Sequence, residues 1–292
     1  MTIQGSIVAL VTPMHTDGSV DWEALRRLVD WQIEQGTHAI VSVGTTGESP
    51  TLAWKEHIQV IATTVEQANG RVPVIAGTGA NSTYEALEWT REAQERGADA
   101  SLQVVPYYNK PSQEGIYQHF ATIAEAVDLP IILYNVPGRT VADMSNQTCL
   151  RLAEISNIIG VKDATGDLER GAALIAAAPE DFMVYSGDDG SALELMKLGA
   201  KGDISVTANV APSLMSQVYE LALAGQFDVA AEIDMRLQAM HSGLFMEPSP
   251  AAAKWALNQM GLIETGIRLP IMPLTESAQP AIRQMLNDLD LI

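Results

Sequence analysis

The 292-residue chain reads as an α/β protein, a (β/α)8 barrel carrying a C-terminal three-helix appendage. Three observations predict this class. Short β-rich runs alternate with longer helical stretches eight times. Most runs are continuously apolar (IVALV, AIVSV, PIILY, NIIGVK), the pattern of strands buried on both faces of a parallel sheet. Eight consecutive units of about 25 residues favour a closed barrel. An open doubly wound sheet is the alternative, but no GxGxxG follows the first strand.

The eight strand candidates are 6–13, 39–43, 72–76, 100–106, 130–134, 158–162, 182–186 and 202–206. Asp21, Thr51, Ser82, Ser112 and Ser145 stand where helix N-caps belong, because their side-chain oxygens accept the free N–H groups of a first turn. Gly36, Gly70, Gly97, Gly199 and Gly225 stand where helices end. In the first helix Trp22, Leu25, Leu28, Val29 and Ile33 fall at helical spacing. Beyond about residue 226 the strands stop, and 227–246, 251–260 and 276–289 read as three further helices. No Ser/Gly-rich linker precedes them. The expected division is a barrel over 1–226 and an appendage packed on it over 227–292.

Composition narrows the function classes. With 47% hydrophobic and 18% charged residues the chain can build a large core, which excludes a disordered protein. Seventeen basic against 36 acidic residues leave a net charge of −19, which repels phosphate backbones and argues against nucleic acid as a partner. Cys149 is the single cysteine, so neither an intrachain disulfide nor a Cys-based zinc site is available. No apolar run approaches the roughly 20 residues of a membrane span. Residues 1–10 lack the basic and apolar regions of a signal peptide. A soluble cytoplasmic protein without a membrane partner is expected.

Barrel enzymes carry their chemistry at the C-terminal ends of the strands. Polar residues gather there in this chain: Gly44-Thr45-Thr46-Gly47-Glu48 after the second strand, Pro106-Tyr107-Tyr108 after the fourth, and Tyr134 to Thr140 after the fifth. Lys162-Asp163 ends the sixth and Ser186-Gly187-Asp188-Asp189 the seventh. Of six lysines only Lys162 ends an apolar strand. Poor solvation in a barrel interior favours the neutral amine, which can attack a carbonyl and form a Schiff base. The alternative is a lysine ion-paired to Asp163 or Glu48. The Gly44–Gly47 turn, with glycines that admit a close ligand and free N–H and hydroxyl groups, suits a small anion such as a carboxylate, or is an ordinary βα turn. Tyr107, Tyr108 and Tyr134 stand at strand tops, where a phenol either relays protons to an imine or simply packs. Arg139 suits a substrate carboxylate, or is an ordinary surface arginine. The five histidines form no HxxxH or HExxH pair, so no metal site is expected. Cys149 reads as a packed small residue.

GTTGE, PYYNKP, YNVPGRT, GVKDATGD and YSGDD, in this order and spacing, resemble the dihydrodipicolinate synthase family, and the likeness extends to the closing LPIMPL segment. That resemblance implies a lyase of the diaminopimelate route to lysine, condensing pyruvate with L-aspartate-4-semialdehyde without cofactor or catalytic metal. It implies Lys162 as the Schiff-base residue and Tyr134 as the general acid/base, with Thr45 and Tyr108 as its relay partners. Thr46 matches the residue that binds the pyruvate carboxylate, the backbone near Ile204 completes that pocket, and Gly187 is placed among the substrate-binding residues. Arg139 matches the residue that binds the semialdehyde carboxylate. Tyr108 would reach into a neighbouring subunit's site, so a dimer is the minimal active unit and a homotetramer, a dimer of dimers, the expected assembly.

The same resemblance gives a site for L-lysine as an inhibitor at Ser49, Pro50, His57, Asn81, Glu85 and Tyr107. Here Trp54 replaces a histidine of that cleft and Pro50 an alanine. A second departure is Ser249, where the family commonly has asparagine. Related pyruvate-dependent aldolases, such as N-acetylneuraminate lyase and the keto-deoxy sugar acid aldolases, share the lysine and the GxTGE turn; Arg139 argues against them. A non-catalytic binding barrel would be expected to have lost the lysine or the tyrosines.

Overall fold

Eight parallel strands close on themselves in sequence order, β1 pairing with both β2 and β8. The computed structural model describes residues 3–292. Met1 and Thr2, with which the stretch read for a signal peptide begins, lie outside the described residues.

The chain runs β1 (Gly5–Ala9), α1 (Trp22–Glu34), β2 (Ala39–Ser42), α2 (Trp54–Ala68), β3 (Val74–Gly77), α3 (Thr83–Glu95) and β4 (Ala100–Val104). It continues through α4 (Gln113–Glu125), β5 (Ile131–Asn135), α5 (Pro137–Thr140), α6 (Asn146–Leu152), β6 (Ile158–Asp163), α7 (Leu168–Ala177) and β7 (Met183–Ser186). The last elements are α8 (Asp189–Lys197), β8 (Gly202–Ser205), α9 (Pro212–Leu223), α10 (Phe227–Gly243), α11 (Ala251–Gln259) and α12 (Gln279–Asp288). This is a TIM barrel, as the alternation of runs predicts.

Alternate strand residues explain the unbroken apolar runs. Ile7, Ala9, Val41, Ile75, Ile132 and Ile204 fill the barrel interior. Their neighbours Val8, Ile40, Val74 and Val161 pack outward against the helices. Both faces are dry, so both must be apolar.

Two expectations need correction. The first strand stops at Ala9 rather than at residue 13. Residues 10–13 stay buried, but Val11 N–H turns to the Asn209 side chain (2.9 Å) and Thr12 Oγ1 donates to Gly47 O (2.7 Å). Hydrophobicity alone marks burial, not ladder pairing. Thr51 is not the cap of α2. Ser49–Thr51 forms a 3-10 turn with Pro50 at its start, and α2 begins from Ala53, whose N–H donates to the Glu56 carboxylate (3.2 Å). The other caps, Asp21, Ser82, Ser112 and Ser145, each accept a backbone N–H three residues on.

Helix α10 packs on α8 and α9, α12 packs on α10 and α11, and α11 touches the turn that follows β8. Leu237, Met240, Ala256, Leu257, Ile282 and Leu286 belong to the same buried cluster as the helices around the barrel. No helix among the described residues is long and apolar enough to cross a membrane.

Candidate active site

A cavity of about 210 Å³ opens at the C-terminal ends of the strands, lined among others by Thr45, Thr46, Tyr134, Arg139, Lys162 and Gly187. Strand register sets its centre. Tyr134 on β5 pairs with Lys162 on β6, and the lysine Nζ lies 4.6 Å from the centre of the tyrosine ring. Lys162 is only 5% exposed. Neither carboxylate that sequence offered as its partner takes it. Glu48 pairs with Lys254 and also accepts Arg268 N–H (3.1 Å). Asp163 turns to its own strand end and accepts Thr165 N–H (2.9 Å). The ammonium is left facing the cavity.

Gly187 makes room for it. A Cβ at this position would stand 2.5 Å from Lys162 Cε and 2.8 Å from Ala164 Cβ, so any larger residue would displace the lysine. Arg139 sits on the short helix α5, at the mouth of the cavity. The segment behind it is pinned. Asn135 donates to Asp143 (2.8 Å) and accepts Met144 N–H (3.0 Å), and Arg170 on α7 makes a two-pronged bond to Asp143, each prong 2.8 Å. The Arg170 guanidinium, with the Asn135 amide assisting, holds the Asp143 carboxyl below its usual range, although partial burial opposes this.

The turn after β2 is tightly wound. Gly47 N–H donates to Gly44 O (3.0 Å) and Glu48 N–H to Thr45 O (3.1 Å). Val43 and Glu48 both have positive φ, at 51° and 59°. For β-branched Val43 this is a strained conformation, of a kind that costs about 1–3 kcal/mol and clusters at functional sites. The buried side chain of Glu48 holds the far side of the turn through Lys254 and Arg268.

A second cavity of about 250 Å³ adjoins the first, sharing Thr45, Tyr134 and Arg139, and reaches Ser49, Pro50 and Tyr107. Asn81 donates to Tyr107 O (3.2 Å). Burial, and then the charge of Glu85, push the Tyr107 phenol upward. Of the six residues in the lysine-site reading, Ser49, Pro50 and Tyr107 line this cavity, while Asn81 and Glu85 lie beside Tyr107 without lining it. His57 lies deeper, fully buried, with Nε2 2.8 Å from Gly77 O and its ring 4.1 Å from that of Trp89. Trp54 lies against Trp89, the ring centres 5.6 Å apart and the planes tilted by 60°, and does not line the cavity.

Not every sequence candidate converges. Tyr108 is 87% exposed, has a positive φ of 75° and lines neither cavity. Ile204 fills the barrel interior without lining the first cavity. No hydrogen bond joins Tyr134 to Thr45 in this structure. Ser249 lines the cavity from the appendage with a buried, unpartnered hydroxyl. Cys149 is buried in α6, its thiol pushed up to about 12 by burial. Sequence reasoning missed Trp89, Lys254, Arg268 and the Asp143–Arg170 pair, for which only long-range contacts carry a signal. Side chains of His15, Asp21 and Glu264 also come together, with Asp21 buried, but none of them lines either cavity.

The model of the Dihydrodipicolinate synthetase family matches residues 2–289. The 4-hydroxy-tetrahydrodipicolinate synthase of Alcanivorax borkumensis is 57% identical over 290 residues, 99% of either chain. The crystal structure of a chloride-inhibited dihydrodipicolinate synthase from Acinetobacter baumannii, complexed with pyruvate, is 59% identical, covers all of both chains and superposes with a TM-score of 0.99. The lysine-bound enzyme of Cyanidioschyzon merolae is 39% identical over 99% of both chains, with a TM-score of 0.96.

Proposed function

The chain belongs to the dihydrodipicolinate synthetase family, and on that premise we propose that it condenses pyruvate with L-aspartate-4-semialdehyde through a Schiff base on Lys162. It is a lyase of the diaminopimelate route to lysine. The carrying observation is the buried Lys162 ammonium, free of both neighbouring carboxylates and set against Tyr134 in a cavity that Gly187 keeps open.

The amine of Lys162 attacks the ketone carbon of pyruvate, and loss of water gives the imine. Loss of a methyl proton gives the enamine, whose carbon attacks the aldehyde. Attack of the substrate's own amino group on the imine carbon then closes the ring and releases Lys162. Tyr134 moves protons at these steps, with Thr45 as one relay partner. Thr46 and the backbone near Ile204 hold the pyruvate carboxylate, and Arg139 the semialdehyde carboxylate through its planar fork. Tyr108, projecting from the surface, completes the relay in a neighbouring subunit, so the working unit is a dimer within a homotetramer. L-Lysine binds at the second cavity with Glu85 facing its ammonium groups. Residues 227–292 act as part of the catalytic unit, through Lys254 and Ser249.

The testing experiment follows product formation from pyruvate with L-aspartate-4-semialdehyde, and from pyruvate with N-acetylmannosamine, in the native protein and in Arg139→Ala. Turnover of the semialdehyde alone, with its KM raised in Arg139→Ala more than that of pyruvate, supports the reading. Turnover of the sugar in preference overturns it.

A further inference from the structure

The wall of the barrel next to the cavity holds two carboxyl groups that the chemistry above does not use. Asp189 opens α8 and Asp203 lies on β8, on the side facing the helices. Both are buried, Asp203 completely. Oδ2 of Asp189 accepts Val206 N–H (3.1 Å), Thr207 N–H (3.1 Å) and the Thr207 hydroxyl (3.3 Å). Oδ2 of Asp203 accepts the Tyr219 hydroxyl (2.9 Å). The two carboxyl groups lie close enough that each acts on the other's ionisation. Their Oδ1 atoms are both buried and have no hydrogen-bond partner.

Each carboxyl keeps a buried oxygen with no donor, and two buried negative charges side by side are strongly disfavoured. A single proton between them resolves both difficulties. Three donors converge on Asp189 and one on Asp203, so the negative charge belongs on Asp189 and the proton on Asp203. Burial and the Asp189 charge raise Asp203 well above the usual carboxyl range. Burial opposes ionisation of Asp189, but its hydrogen bonds and the neighbouring His241 outweigh it and lower the group.

The pair matters because of what Asp189 holds. Val206 and Thr207 form the turn that ends β8, and Val206 lines the cavity that contains Lys162. Ile204, whose backbone the pyruvate reading assigns to the carboxylate pocket, is two residues upstream. We propose that Asp203 is a positioning residue: as the neutral acid it donates to Asp189, and Asp189 fixes the end of β8 as a wall of the pyruvate site. The other titratable groups facing the pair are Tyr219 from α9, His241 and Asp234 from α10, and Lys162 on β6. His241 reaches the pair through Thr207, with Nδ1 2.8 Å from its hydroxyl. As pH rises and Asp203 ionises, the second charge repels Asp189 and releases the turn.

This inference rests on the pyruvate reading, and two measurements separate them. Infrared spectroscopy reads the proton without any assay: the native protein at neutral pH shows the carbonyl band of a protonated carboxylic acid, and Asp203→Asn lacks it. Imine formation with pyruvate reads the positioning. Asp203→Asn keeps a donor toward Asp189 and an acceptor for Tyr219, so it retains native pyruvate affinity and loses the native fall of affinity at alkaline pH. Asp203→Ala leaves Asp189 short of a donor and weakens pyruvate by about tenfold, the scale of an unsatisfied buried group, with a smaller change in kcat. If Asp203→Ala does not fold, the band and the pH profile of Asp203→Asn still decide. Absence of the band in a native protein that forms the imine overturns the proposal. So does an alkaline profile unchanged in Asp203→Asn.

Discussion

Glu48 and Lys254, 206 residues apart in sequence, form a buried ion pair that ties the turn after β2 to helix α11 of the appendage. It fixes the turn that carries Thr45 and Thr46, and it removes from Lys162 one of the carboxylates that would otherwise neutralise it. Breaking a buried pair leaves the surviving charge uncompensated. Lys254→Met is therefore expected to destabilise the fold by about 3–5 kcal/mol in urea denaturation. Glu48→Gln in that background should recover much of the loss. A single-variant cost below about 1 kcal/mol, the value of an exposed pair, contradicts the structural role assigned to it.

Tyr134→Phe keeps the ring against the Lys162 ammonium and removes only the hydroxyl. It should fold with native stability and lose about 10²- to 10⁴-fold in kcat, the span of a positioned acid or base. Near-native kcat in steady-state assays removes Tyr134 from the proton transfers.

Burial pushes His57 and His119 down to about 4 each. Unfolded histidines titrate near 6.5, so between about pH 6.5 and 4 the unfolded chain takes up protons that the folded chain refuses. The stability these histidines contribute is fully present above that window and is lost as pH falls through it, on the order of 3 kcal/mol each. Melting temperature measured against pH should fall across the window, and less steeply in His119→Gln. An unchanged slope in that variant shows that His119 is protonated in the folded state.

Trp54 rests against Trp89 and is not among the residues lining the second cavity, which Ser49, Pro50 and Tyr107 line. Millimolar L-lysine should partially inhibit the condensation, and Glu85→Ala should relieve it. Calorimetry with no heat of binding at saturating lysine, together with unchanged activity, contradicts this.

The barrel was legible because strands buried on both faces are largely apolar, and most of the eight runs stood out for that reason. Strand ends were less so. Residues 10–13 are as buried as β1, yet past Leu10 the bonds go to Asn209 and Gly47 instead of a ladder. The cap at Thr51 failed because Pro50 sets a 3-10 turn before the helix. Lys162 was conspicuous as the one lysine ending an apolar strand, although its two candidate partners could be dismissed only once Lys254 and Thr165 were seen to occupy them. Asp203 gave no signal in the run GDISV, since its partners Asp189 and Tyr219 come from other elements. The reaction itself came from the resemblance, because spacing alone favoured an ion-paired lysine over a nucleophile.

Lys162 is expected to form the pyruvate imine. Borohydride reduction of the native protein with pyruvate, followed by peptide mass spectrometry, reads the modified residue itself. The expected result is one adduct, on the peptide containing Lys162, and none in Lys162→Ala. An adduct on Lys254 or any other lysine, or trapping that survives in Lys162→Ala, contradicts it.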